Sequence, residues 1–150
     1  MAGLAWLLQP RPLRQAGSRE QYTDLRSWQL YPDTIPALAA LSRAGWRHVV
    51  LSNHVPELPD ILTGLGLDGH IGAVVNSAVT GYEKPHPQAF RLAQEKACWP
   101  RSAWMIGDNP AADYLGAINA GIRAILVRTP PANGELYVAD LSQLTDVVSD

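Results

Sequence analysis

From about residue 33 onward the apolar positions switch repeatedly between the three-to-four spacing of a helix and short unbroken runs. Thr34 to Ala44 puts Ile35, Leu38, Leu41 and several alanines on one side. With Asp33 before it and Gly45 after it, this predicts an amphipathic helix with Asp33 as N-cap. His48 to Asn53 reads as a buried strand that closes on two polar residues. Pro56 to Leu65 predicts a helix stopped by Gly66, Ala73 to Val75 a short strand, and Pro87 to Ala97 a helix with Phe90, Leu92 and Ala93 facing a core. Ala103 to Ile106 is a third strand, Pro110 to Ala120 a helix ended by Gly121, Ala124 to Val127 a fourth strand, and Leu141 to Val148 a closing amphipathic helix. The start is less orderly: Gln9-Pro10-Arg11-Pro12 breaks any early element, and one short helix fits around Gln21 to Trp28.

Strands alternating with helices predict an α/β fold, a three-layer Rossmann-like parallel sheet covered on both faces. In such sheets the ligand crevice lies outside the carboxyl ends of the strands, which here carry Ser52, Asn53, Asp108 and Asn109. A length of 150 residues is enough for one domain with a sizeable core. A hydrophobic share of 47% with 17% charged residues fits a folded chain. The net charge of -2 supplies no broad positive field for nucleic acid or an anionic membrane, so a small-molecule or protein partner is expected. Cys98 is the only cysteine, which rules out an internal disulfide or a cysteine-based zinc site and points to the cytoplasm. Met1 to Leu8 lacks the basic start and cleavage site of a signal peptide, and no run reaches the ~18 apolar residues of a membrane span.

Chemistry concentrates in three places. Gly107-Asp108-Asn109-Pro110-Ala111-Ala112-Asp113 brings two carboxylates to one strand tip and the helix start after it. A hard cation such as Mg²⁺ takes oxygen from one or two carboxylates and fills its shell with water and phosphate. The same residues could serve only the helix, Asp108 as a cap and Asp113 as a first-turn acid. Ser52-Asn53 offers a hydroxyl and backbone N–H groups to an anion, although a strand-ending serine is commonly a turn former. Gly81-Tyr82-Glu83-Lys84-Pro85-His86-Pro87 confines Lys84 between a glycine turn and two prolines, so its ammonium could meet an aspartate and a transferring phosphoryl group.

In this order, these elements resemble the haloacid dehalogenase superfamily: a strand ending in Ser, a lysine before a helix, and Gly-Asp with a second Asp downstream. Trp28 to Pro36, WQLYPDTIP, resembles the junction where such proteins re-enter their core from a cap, and Asp140 to Val148 resembles their closing helix. The resemblance covers residues 28–150, leaving 1–27 as an irregular segment with the character of a cap remnant. It implies that Ser52, with Asn53 beside it, binds a phosphoryl group and that Lys84 stabilises the nucleophile and the transferred charge. It also implies that Asp108 ligates Mg²⁺ and that Asp113 acts through the metal's shell or through Lys84. The Gly-Asp-x-x-x-x-Asp form is similar to the phosphatase branch, with small phosphorylated substrates.

One motif departs. The family's first motif, a strand ending Asp-x-Asp, holds the nucleophile and the general acid, and no Asp-x-Asp occurs in this chain. In the family that strand lies between those ending at Ser52 and Asp108, so its loss is expected to leave a gap. Gly3 to Leu8 either fills that gap or packs as a relic of a cap helix, and an open gap would favour self-association. The chain is accordingly expected to be an inactive fragment whose first motif lies in an upstream segment. A non-enzymatic phosphate- or protein-binding module, or half of a two-chain enzyme, are the alternatives. Gly64 to Gly69 has Gly-x-Gly-x-x-Gly spacing but follows a helix, which misaims it for a dinucleotide. His54 and His86 are expected at the cleft rim, and Trp6 and Trp28 on a surface the cap once covered.

Overall fold

The computed structural model describes residues 2–3, 8–10, 24 and 27–148. Its strands are β1 (Ala2–Gly3), β2 (Leu8–Pro10), β3 (Trp28–Leu30), β4 (Val49–Ser52), β5 (Ala73–Asn76), β6 (Trp104–Gly107), β7 (Arg123–Val127) and β8 (Tyr137–Val138). Six of them form one sheet in the order β5-β4-β1-β6-β7-β8, every neighbouring pair parallel. The α/β parallel-sheet expectation is met.

Side chains along a strand alternate between its two faces, and here both faces are apolar. Val50, Ile106, Ile125 and Val127 enter one core cluster with Leu38, Leu58, Ile61 and Leu144. Val49, Leu51, Met105 and Ala124 enter a second with Ala89, Phe90, Ala93 and Ala117. The helices that cover these faces are α1 (Thr34–Arg43), α2 (Leu58–Gly64), α3 (Ser77–Thr80), α4 (Pro87–Lys96), α5 (Gly116–Asn119) and α6 (Leu144–Val147). Gly66 and Gly121, at φ of 77° and 75°, take the left-handed backbone that ends a helix without a Cβ clash.

The slot between β4 and β6 is occupied at Ala2–Gly3. Ala2 pairs with both Val50 and Ile106, and Gly3 with Leu51. Of the two readings for the run from Gly3, the in-sheet one holds at Gly3, while Leu4 to Leu7 lie outside the described residues. The strand at this central position carries no carboxylate, and Leu4, Ala5 and Trp6 follow it in sequence.

Several local expectations change. Pro10 does not break the early element: Leu8–Pro10 pairs antiparallel with Trp28–Leu30, Pro10 opposite Trp28 at the strand end, where a missing N–H is tolerated. The helix proposed around Gln21 to Trp28 falls mostly outside the described residues, and its last residue, Trp28, is strand. Trp6 is likewise outside them, whereas Trp28 is half-buried against the first core cluster. The segment after β6 opens as a π-helical turn over Pro110–Leu115 before α5 continues it. The closing helix begins as a 3₁₀ turn, Leu141–Gln143, ahead of α6. Asp33 makes no side-chain cap for α1. Its carboxylate instead accepts from Arg128 Nη2 at 2.6 Å and from the Leu141 N–H at 2.9 Å, because a charged donor competes better than the helix's own amides.

Candidate active site

Because the sheet is parallel, Ser52, Asn76 and the Gly107-Asp108 junction all emerge on one edge. The loop after β4 and the loop before α4 meet there through Asn53. Its Oδ1 accepts from the Lys84 N–H at 2.8 Å and its Nδ2 donates to the Lys84 carbonyl at 3.1 Å, so one side-chain amide matches both backbone groups of one residue. Asn53 thus holds the lysine loop with its side chain, next to the buried Ser52.

Lys84 Nζ lies 2.6 Å from Asp113 Oδ1, with the two side chains only 7% and 4% exposed. The other Asp113 oxygen accepts from the Asn109 N–H at 3.1 Å. Asn109 in turn caps the π turn, its Oδ1 accepting from the Ala111 and Ala112 N–H groups at 3.0 and 2.8 Å. A π-helical opening is uncommon and often marks a functional segment. Asp113 packs directly against Gly107, where any Cβ would collide with its side chain. The glycine before Asp108 is therefore a space requirement of Asp113.

Asp113 has both oxygens engaged by protein donors. Asp108, by contrast, is half-buried. Burial first, and the charge of Asp113 second, raise the Asp108 carboxyl above its ordinary range, with a hydrogen bond from its own backbone and then Lys84 and Arg128 offsetting only part of this. A divalent cation beside Asp108 would reverse that penalty, so this residue fits a metal. Among the described residues no three His, Cys, Asp or Glu side chains gather, so water and phosphate would complete the shell.

All five predicted site residues are placed: Ser52 ends β4, Asn53, Lys84 and Asp108 lie on loops and Asp113 on the π turn. Arg128 was missed. It follows β7 at φ 65°, stacks over Tyr31 at 3.6 Å, pairs with Asp33 at 2.6 Å and adds positive charge near Asp108. Its position directly after a strand-like run was the available signal. His86 is at the surface, as expected, accepting from the Gln88 N–H at 3.1 Å and lying 4.9 Å from the Tyr82 ring. His54 is half-buried, both ring nitrogens shielded and without a hydrogen-bond partner among the described residues, its centroid 5.3 Å from that of Trp28.

Known proteins resemble this chain in sequence and fold. The sequence pattern of a hydrolase family, the haloacid dehalogenase-like hydrolases, matches residues 11–121. The chain is 37% identical over 142 residues to the phosphoserine phosphatase of Thermus thermophilus, covering 89% of this chain and 55% of that one. It is 31% identical over 131 residues to the glyceraldehyde 3-phosphate phosphatase of Methanothermobacter thermautotrophicus, covering 79% and 58%. The crystal structure of a HAD phosphatase from Thermococcus onnurineus superposes with a TM-score of 0.76 at 25% identity, over 85% of this chain and 61% of that one. The chain spans about half the length of the curated relatives it matches.

Proposed function

The chain belongs to the haloacid dehalogenase-like hydrolase family, and on that premise we propose that its cleft binds the phosphoryl group of a small phosphorylated substrate together with Mg²⁺. The observation that carries this is Lys84, a buried cation fixed from two sides by Asp113 and Asn53 at the edge where Ser52 and Asp108 emerge. In this reading the Ser52 hydroxyl and the Asn53 N–H hold phosphoryl oxygens, and Lys84 offsets their charge. Asp113 keeps Lys84 in place. Mg²⁺ held by Asp108 would supply Lewis-acid stabilisation of the same oxygens.

Phosphate-ester hydrolysis in this family needs a carboxylate nucleophile, and the 150 residues contain no Asp-x-Asp. The chain as given therefore holds phosphate without turning an ester over. In the same reading the part of residues 1–27 outside β1 is a cap remnant, and the single cysteine suits a cytoplasmic setting. A non-catalytic phosphate-binding role draws on the same observation, a retained cradle with no nucleophile.

Calorimetry with inorganic phosphate and Mg²⁺, run beside a p-nitrophenyl phosphate assay, tests the proposal. Saturable phosphate binding, weakened about tenfold or more by Ser52→Ala, with no nitrophenol released, is the expected result. Mg²⁺-dependent release abolished by Asp108→Asn would overturn the claim of inactivity. Absence of phosphate binding to the folded chain would overturn the cradle itself.

A further inference from the structure

Asn76 ends β5, at the margin of the sheet, and pairs in register with Ser52 on β4. It lies on the side of β4 away from β1. Its side chain belongs to a residue only 4% exposed, and a buried amide must find partners for both of its ends. Asn76 finds them on two different segments. Its Nδ2 donates to the Val55 carbonyl at 2.6 Å, and its Oδ1 accepts from the Ala78 N–H at 3.2 Å, which caps α3.

The Val55 carbonyl also accepts from the Leu58 N–H at 3.2 Å, so the loop after Ser52 is fixed at its far end. Asn53 and His54 span the interval between that point and β4. Asn53 in turn grips both backbone groups of Lys84. The two amides thereby close a ring: the chain runs from Asn76 through α3 to Lys84, Asn53 leads back from Lys84 to the loop after β4, and Val55 leads back to Asn76. A loop held this way keeps its shape only while each link holds. An asparagine suits the last link because it carries a donor and an acceptor on one short stem, whereas an aspartate would set an acceptor against the Val55 carbonyl and a serine is too short to serve both partners.

We propose that Asn76 is a positioning residue of the phosphate cradle, setting Ser52, Asn53 and Lys84 through the Val55 carbonyl. This rests on the phosphate-binding reading and adds the residue that keeps the cradle's two loops in register.

The test compares Asn76→Ser, which keeps an acceptor for the Ala78 N–H but loses the donor to Val55, with Asn76→Ala, which loses both, in the full 150-residue chain. By calorimetry with Mg²⁺ present, both should bind inorganic phosphate about tenfold more weakly than the unaltered chain. Hydrogen exchange of the Lys84 N–H should quicken about tenfold in both, with exchange in β6 and β7 unchanged. Phosphate affinity fully kept in Asn76→Ser would assign any loss in Asn76→Ala to the cap of α3 and overturn the proposal, as would unchanged Lys84 exchange. A further measurement needs no variant to fold: in the unaltered chain the Asn76 side-chain amide protons should exchange with water about tenfold or more slower than those of the exposed Asn119, and equal rates would also overturn the proposal. An unaltered chain that binds no phosphate would overturn the cradle, and the two exchange measurements would still decide whether Asn76 clamps the loop.

Discussion

Lys84 and Asp113 hold opposite charges 2.6 Å apart with almost no water around them, so their energetics are those of a buried pair. Removing one partner strands the other charge in a site built for two. Lys84→Met should therefore cost about 3 to 5 kcal/mol in urea denaturation. Asp113→Asn added to it should recover part of that loss, because an asparagine keeps an acceptor for the Asn109 N–H while deleting the orphaned charge. A double variant no more stable than Lys84→Met would show that the pair's charges are not what matters. Gly107→Ala probes the same carboxylate sterically: the new Cβ collides with Asp113, which cannot withdraw without releasing Lys84. A melting temperature lowered by the equivalent of about 1 to 3 kcal/mol is expected. These residues were legible in the sequence because each sits beside a strong local signal, a strand end, a glycine turn or a pair of prolines. Asn53 was legible only as a neighbour of Ser52, since its grip on Lys84 spans 31 positions and leaves no local trace.

At the scale of elements, the same distinction separates what the pattern revealed from what it hid. The long helices and central strands announce themselves by buried periodicity, whereas β8, α3 and the π turn are too short to impose any period. Asp33 shows how a correct local rule loses to a distant partner. Its place before α1 fits a cap, yet it joins α1 to Arg128 after β7 and to the start of the closing turn, 95 and 108 residues away. Both charged side chains of this clasp are about one-fifth exposed, 18% and 21%, so its value is less than that of the Lys84 pair. Asp33→Ala should cost about 2 kcal/mol and speed amide exchange through Leu141–Gln143 and α6 more than in β4. Uniform exchange across the sheet would mean the clasp does not secure that end. Gly116 plays a comparable part between helices. A Cβ there would lie 2.7 Å from Phe90 Cζ and 3.0 Å from Pro85 Cβ, so a glycine lets α5 seat against α4 and the lysine loop together.

Across the whole molecule, proton uptake links two histidines to stability. His48 and His54 both sit below their ordinary pKa of 6.5, in each case chiefly because burial disfavours the charged ring. The consequence has a definite sign. Between 6.5 and the depressed folded values the unfolded chain binds more protons than the native one, so stability falls as pH drops below 6.5. Above that point these groups contribute no slope. His48 has some compensation, its Nε2 lying 3.1 Å from the Leu38 carbonyl and 3.0 Å from Ser42 Oγ, whereas His54 has none among the described residues. His54 should thus be the cleaner reporter. His54→Phe keeps a ring against Trp28 and deletes two unsatisfied nitrogens, each of which costs on the order of 1 to 3 kcal/mol when buried. The variant should be more stable than the parent at all pH values, with the larger gain near pH 5, where the parent loses stability and the phenylalanine cannot. Thermal unfolding from about pH 5 to 8 in both proteins measures this directly. Parallel melting curves, with no change in slope below 6.5, would show that His54 takes up its proton as readily in the fold as out of it.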